Sequence, residues 1–546
     1  MKTISSKTSG IFVVRIATLT LAAFCIAPAT VHATEVTGSV IDTESGKALP
    51  CRLYVQNTAT LTWHFAKSAD AAGSAVEYRK QIGATPSVEM HTTLSAAKFQ
   101  LLLEPGKYRI HAEHGKDFMP AETEITVGSE ATEFQLTLKR FANMPKQGWY
   151  SGDTHVHRTM ADLPNLVMAE DLNVALPLNY WVRDSTEIPS ASGPVMEAKP
   201  INIDATHVIY PINTEYEIFS VAGKRHTQGA VFVLNHGTPL NLPTPPALPV
   251  AEEARRQGAI LDLDKHSWAW SMMIVPVMNV DLFELSNNHN WRTQFGFPQW
   301  TIENAPDWPE VERHAAGFTD LGWTEFAMQT YYALLNCGFR MRVTGGTGAG
   351  VHPVPLGHGR VYVHTGEEFS YEKWMDHLNL GHSFVTTGPL IDVRFNQQLP
   401  GTTWSHASAE NTIVVRGSIL SANPLRSIEV IRNGEIAQSL TIEPERTPEG
   451  AWKYVINVSE TLHDSGWLAL RCFEKLPDAK VSFAHTNPVF VDVPNAPLIP
   501  RRRDAEFFVK RMDEEIVRNT GILPDESLEE YRKAKAIYEA VLERAR

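Results

Sequence analysis

The apolar positions of the chain change rhythm three times, and each change marks a boundary. Between residues 35 and 140 they alternate in short runs: Val36 to Ile41, Lys98 to Leu103, Lys107 to Ala112 and Glu133 to Leu138. Turns fall at Thr43-Glu-Ser-Gly46 and Pro105-Gly106. A period of two bounded by turn residues predicts half-buried strands, and several such strands predict a β-sandwich. Between 145 and 390 the apolar runs become short and continuous: Val174 to Leu178, His207 to Tyr210, Val231 to Asn235, Ala259 to Leu263 and Val280 to Leu285. Each is followed by polar, loop-like residues. That pattern predicts buried parallel strands, and its repetition predicts an α/β barrel. The Pro-rich stretch Pro239 to Pro249 reads as a surface loop. Residues 395–495 return to β, with strands at Asn411 to Arg416, Ser427 to Ile431, Trp452 to Asn457, Trp467 to Arg471 and Pro488 to Val493. Asn433-Gly434 predicts a tight hairpin there, and the whole stretch reads as a second sandwich. Residues 500–546 are helical, as Asp504 to Asn519 and Glu526 to Arg546. The expected fold class is therefore multidomain, α/β plus β.

The N-terminus reads as an export signal. Lys2, Lys7 and Arg15 precede the apolar stretch Ile16 to Ala27, and Val31-His32-Ala33 offers small residues for cleavage. The stretch is too short for a stable bilayer anchor. Residues 1–33 are thus expected to leave a secreted or periplasmic protein with no transmembrane anchor. The remaining chain carries 62 acidic against 46 basic side chains. Such a balance argues against nucleic acid as a partner, because phosphate binding needs a basic face. Three cysteines remain, Cys51, Cys337 and Cys472, too far apart for a metal or redox motif.

The densest chemistry lies in Tyr150-Ser-Gly-Asp-Thr-His-Val-His157. On a strand, Asp153, His155 and His157 share one face. Imidazoles beside a carboxylate suit zinc, manganese or iron(II). A strand end opening into a loop is also where α/β barrels place ligands. Farther along, Lys265 reads either as a group facing a metal or as a lysine paired with Asp262 or Asp264. Gly345-Gly-Thr-Gly-Ala-Gly350 offers backbone N–H groups to an anion but lacks the P-loop pattern. His236, His352 and His358 are candidates to support a site, and Arg360 to orient a carboxylate or phosphate.

Several segments together resemble one family. Gly152-Asp-Thr-His-Val-His157 resembles the first metal motif of the polymerase-and-histidinol-phosphatase (PHP) superfamily. Tyr331-Tyr-Ala-Leu-Leu-Asn-Cys-Gly-Phe339, Gly359-Arg-Val-Tyr-Val363 and Gly381-His-Ser-Phe-Val-Thr-Thr-Gly-Pro389 resemble its carbaryl-hydrolase-type branch. Trp467-Leu-Ala-Leu-Arg471 and Ala484-His-Thr-Asn-Pro-Val-Phe490 resemble that branch's closing segment. Separately, Gly38 to Gly46 and Leu103 to Ile110 resemble carboxypeptidase regulatory-like modules.

The resemblance implies a distorted (β/α)7 barrel over 145–390. A regulatory-like sandwich over 35–140, a second sandwich over 395–495 and helices over 500–546 would flank it. It implies a hydrolase of ester, amide, carbamate or phosphoester bonds that uses a metal-activated water. The expected ion is divalent, zinc first, with manganese or iron as alternatives. The implied ligands are His155, His157, Glu215 (ahead of Glu217), His289 and Asp153. Glu284, Lys265 and Arg360 are the residues expected to serve catalysis. The substrate would be a small molecule or glycan-like. Three positions depart from the family pattern: Leu178-Asn-Tyr-Trp181 stands in place of Thr-Asp-His, Asp264-Lys-His266 in place of His-Pro, and Gly348 in place of an Asp. These departures argue against a three-metal site. They also leave open a degenerate barrel that binds glycan or protein outside the cell.

Overall fold

The computed structural model describes residues 32–85, 87–297, 311–406, 410–477 and 480–546. All but the last two residues of the expected export segment lie outside these. So do Trp300 and Trp308 of the aromatic-rich stretch between Trp268 and Trp323. β-Sheets dominate, and a pair of helices closes the chain.

Residues 34–140 form two sheets, of five and six strands, that share one apolar core. Strand Thr34–Asp42 buries alternate residues, as its sequence alternation requires. It pairs in parallel with Thr132–Arg140 and antiparallel with Phe99–Leu103. Gly38 is needed there, because a Cβ would fall 2.4 Å from the Phe99 ring.

The central region is built on two further sheets. One contains Trp149–Val156 between Val174–Pro177, parallel to it, and Arg360–His364, antiparallel to it. The other runs in the order Ser190–Ala191, Tyr180–Asp184, Thr214–Val221, Lys224–Leu234, Ile260–Leu263, Leu282–Ser286, Arg342–Gly345. Trp149–Val156 is buried at all eight positions, so its polar residues must find partners inside the protein. Gly152 admits the indole of Trp374, whose Nε1 donates to the Tyr150 carbonyl at 2.9 Å. Trp374 is placed by helix Tyr371–Leu380, which the Ser370 side chain caps at its start.

Two expectations need correction. The apolar run at Val231 to Asn235 belongs to Lys224–Leu234, which is antiparallel to both of its neighbours. The tight turn at Ala222-Gly223, both at positive φ, folds it straight back on Thr214–Val221. The region after 395 also does not close on itself. Leu390–Phe395, Asn411–Ser421, Trp452–Leu462 and Glu445–Arg446 form a separate four-stranded sheet. Leu425–Arg432, Gly466–Glu474 and Phe483–Thr486 instead extend the sheet of Trp149–Val156, through Ser383–Thr386. One core spans the two parts, from Trp149 and Phe384 to Leu470 and Val491. The expected hairpin forms at Asn433-Gly434, with φ of 49° and 85°.

Helices Arg502–Asn519 and Asp525–Glu543 pack on each other and on the central region. The Glu530 carboxylate accepts the N–H groups of Ala247 and Leu248 at 2.8 and 2.7 Å, satisfying the open end of helix Leu248–Arg256. Cys51, Cys337 and Cys472 are buried and unpaired. No described helix is long and apolar enough to cross a membrane.

Candidate metal centre

The ends of several central strands bring their polar residues to one buried place. His155 comes from Trp149–Val156, and His157 lies just past it. Glu215 and Glu217 open Thr214–Val221, Asp264 and Lys265 follow Ile260–Leu263, and Glu284 sits within Leu282–Ser286. Two groupings could hold a cation: His155 with His157 and Glu215, and His155 with Asp264 and Glu284. In each, the candidate ligand atoms lie within 4.8 Å of one another. Bonds of about 2.0–2.2 Å from nitrogen or oxygen to zinc put ligands at most about 4.4 Å apart across the ion, so small adjustments suffice.

The contacts are specific. His155 Nδ1 lies 3.0 Å from Glu284 Oε1 and 3.7 Å from Asp264 Oδ1. His157 Nε2 lies 3.2 Å from Glu215 Oε2. Glu215 Oε2, Asp264 Oδ1 and Glu284 Oε2 are buried without a hydrogen-bond partner. Burying such oxygens without a hydrogen bond is costly, and a cation in one grouping would offset that cost for Glu215, or in the other for Asp264 and Glu284. Burial pushes the Glu215 carboxyl up to about 8, and burial with the nearby Glu215 charge does the same to Glu217. Burial and then Asp264 hold Glu284 well above the usual carboxylate range. Burial also pushes His157 down to about 4, and burial and then His157 hold His155 well below the usual imidazole range. Both imidazoles are therefore neutral and able to bind metal. Mixed imidazole and carboxylate donors, buried and short of partners, fit a divalent ion.

The spacing at Gly346 is part of the design. A Cβ there would lie 2.3 Å from both Glu284 Oε1 and the Cβ of His155. Gly346 thus lets two cluster residues meet beside the backbone.

The remaining expected residues fall into different places. Asp153 is outside both groupings. Its oxygens accept the Thr347 hydroxyl and the N–H groups of Thr347, His155 and Gly357. The pairing of Trp149–Val156 with Val174–Pro177 shifts register after Asp153, which breaks the simple alternation toward His157. Arg360 is fully buried, and its guanidinium donates to the carbonyls of Gly357, Glu170 and Asp171. These bonds give it a structural task. His289 lies among Trp323, Phe297 and His352, with ring centroids 5.2–5.9 Å away, and also falls outside both groupings. Lys265 pairs with Asp264 and, at 3.6 Å, with Glu217. Burial works against its ammonium, and the Asp264 carboxylate, first among its neighbours, keeps it protonated.

Other loops are likewise committed to structure. The N–H groups of Gly346, Gly348 and Gly350 go to the Ser286 carbonyl, the His155 carbonyl and the Tyr78 hydroxyl, so the glycine-rich loop is no anion cradle. Asn179 donates to the Pro211 carbonyl at 2.9 Å. His236 is bonded to Thr214 and the Thr238 carbonyl. At Gly348 a Cβ would meet His352 at 2.9 Å and Asn288 at 3.0 Å, so these side chains fill the space an Asp would use.

Asp264 was read in the sequence only as a partner for Lys265, and its own place beside His155 went unread. Its signal was a carboxylate at the end of a predicted strand, Ala259 to Leu263.

No family model and no curated protein matches the chain. A solved structure described as "Structure of the Streptococcal ancillary pilin" matches at 12% identity and a TM-score of 0.15, over 39% of this chain and 55% of its own. The match thus spans about half of that structure's length, and so slight a likeness carries no argument.

Proposed function

We propose that the chain is a secreted, metal-dependent hydrolase of the PHP superfamily, of its carbaryl-hydrolase-type branch, with the central region as the corresponding distorted barrel. One observation supports this most: buried carboxylate oxygens that make no hydrogen bond stand against two neutral imidazoles. His155, His157 and Glu215 would hold a divalent ion, zinc first, with Asp264 and Glu284 completing or extending the set. When bound, such an ion supplies an acidified water and a polarised scissile group. Lys265 provides a fixed positive charge beside the cluster. A carboxylated lysine requires the neutral amine, which its pairing with Asp264 and Glu217 opposes. Glu284 orients His155 through their 3.0 Å contact. Glu217, beside Lys265, is the group placed to hold a proton and pass it to a leaving oxygen or nitrogen.

The substrate is a small or glycan-like ester, amide, carbamate or phosphoester, met in the periplasm or outside the cell. The test is turnover of nitrophenyl esters, anilides, carbamates and phosphates by metal-loaded protein, with a chelator control. Chelator-sensitive hydrolysis of one class is expected. No hydrolysis of any class by fully loaded protein would overturn the reading. The filled space at Gly348 favours a second reading, a barrel that binds glycan or protein without catalysis. Retention of inactive protein on immobilised polysaccharide would support it.

A further inference from the structure

The N-terminal two-sheet unit contributes no residue to the cluster, yet it touches the turn on which both cluster histidines hang. Tyr78, on strand Ala75–Gln81, is 4% exposed. Its hydroxyl accepts the Gly350 N–H at 2.8 Å and donates to the His352 carbonyl at 2.5 Å. The same turn accepts the His157 N–H at the Ala349 carbonyl, 2.8 Å, and donates the Gly348 N–H to the His155 carbonyl, 2.7 Å. Gly350 has φ 111°, and a Cβ there would lie 2.4 Å from the His157 carbonyl oxygen. The backbone of both histidines therefore docks on residues 348–352, and one phenol ties that turn from its other side.

The phenol is itself held in place. The Arg158 guanidinium lies 4.6 Å over its ring, and the His91 ring is 5.2 Å away. His91 Nδ1 is 2.7 Å from Glu89, which also receives the Tyr54 hydroxyl. Burial holds the Tyr78 hydroxyl in its neutral form, so it keeps the proton it donates.

We propose that Tyr78 is a positioning residue for the metal cluster, which makes the N-terminal unit part of the site's framework. The inference rests on the metal reading above. It predicts that losing one hydroxyl loosens the Gly348–His352 turn and, through it, His155 and His157. Groups that orient ligands from behind typically change metal affinity roughly 10- to 100-fold.

The test compares the full chain with its Tyr78→Phe variant. Zinc affinity is measured by chelator competition, coordination by the visible spectrum of the cobalt(II) form, and the turn by amide exchange of Gly350. Tyr78→Phe is expected to weaken zinc binding at least tenfold, alter the cobalt spectrum and speed Gly350 exchange. 4-Aminophenylalanine at position 78, which keeps a donor there, should restore the spectrum. Tyr108→Phe, which removes a hydroxyl bonded to the Glu104 carbonyl in the same unit and away from the turn, should leave the spectrum unchanged. Wild-type affinity and spectrum in Tyr78→Phe would overturn the inference while leaving the metal reading intact. Wild-type protein that binds no metal would overturn both. Fast Gly350 exchange in folded wild-type protein would overturn the inference even if the variant fails to fold.

Discussion

At the scale of single residues, the cluster would tie metal binding to pH. Glu215 and Glu217, raised to about 8, keep their protons near neutrality when no ion is bound. Metal uptake should therefore release protons and strengthen as pH rises toward 8, which calorimetry in buffers of different ionisation enthalpy measures. The stability of the metal-free protein follows with its own sign. A carboxyl whose folded pKa exceeds its unfolded value stabilises below that unfolded value and loses this contribution as pH rises through the folded one. His157, pushed down to about 4, acts in the opposite sense only between there and its ordinary value of 6.5. Above about pH 6.5, then, chelated protein should show a melting temperature that falls as pH rises to 8, whereas loaded protein should not. A chelated protein that gains stability over that window would contradict the assignment. Gly346→Ala should cost metal binding at least about tenfold, read by chelator competition, since its Cβ would collide with His155 and Glu284. His155 and His157 stood out by residue type and strand-end position, whereas Glu215 came only from the family resemblance; all three fall in one grouping that could hold a cation. Asp153 lies outside both groupings although alternation puts it on the same face, and the register shift that follows it is invisible in sequence. The partners of Arg360 are backbone carbonyls, which no sequence pattern marks.

At the scale of elements, strands were easier to find than their partners. Val174–Pro177, Ile260–Leu263 and Leu282–Ser286 stand close to where apolar runs placed them. The direction of Lys224–Leu234 was not readable, because its first half is polar and Ala222-Gly223 is a weaker turn signal than Asn433-Gly434. Helix ends follow local rules more closely, as Ser370 and Gly381 show at either end of Tyr371–Leu380. One cap comes from far away in sequence. Glu530→Ala should leave the N–H groups of Ala247 and Leu248 without their acceptor. A cost of about 1–3 kcal/mol is expected in denaturant unfolding, with metal content unchanged. A loss under about 0.5 kcal/mol would mean water replaces the carboxylate freely.

At the scale of the molecule, a buried ion pair, Arg52–Glu170, and the half-buried Arg292 fasten the N-terminal unit to the rest. Arg52 pairs with Glu113 and, at 2.5 Å, with Glu170, and Arg292 reaches Glu113 at 3.0 Å and Glu89 at 3.4 Å. Arg52→Met should strand Glu170, since Glu113 keeps Arg292, and destabilise by about 3–5 kcal/mol. Limited proteolysis should then cut between the N-terminal unit and strand Trp149–Val156. Sequence reading separated the parts by composition but could not see this joint, since each partner lies far from the other along the chain. It also placed a boundary at 395 that the sheet containing Trp149–Val156 and Gly466–Glu474 crosses without a break. Parts so joined should hold the cluster as one rigid frame. The most direct measurement is the metal content of the protein purified without chelator or added metal, beside its His155→Ala/His157→Ala double variant. About one equivalent or more of zinc, manganese or iron in the wild type, absent from the variant, is predicted. A wild type that stays metal-free after reconstitution, or a double variant with unchanged metal, would contradict the metal centre.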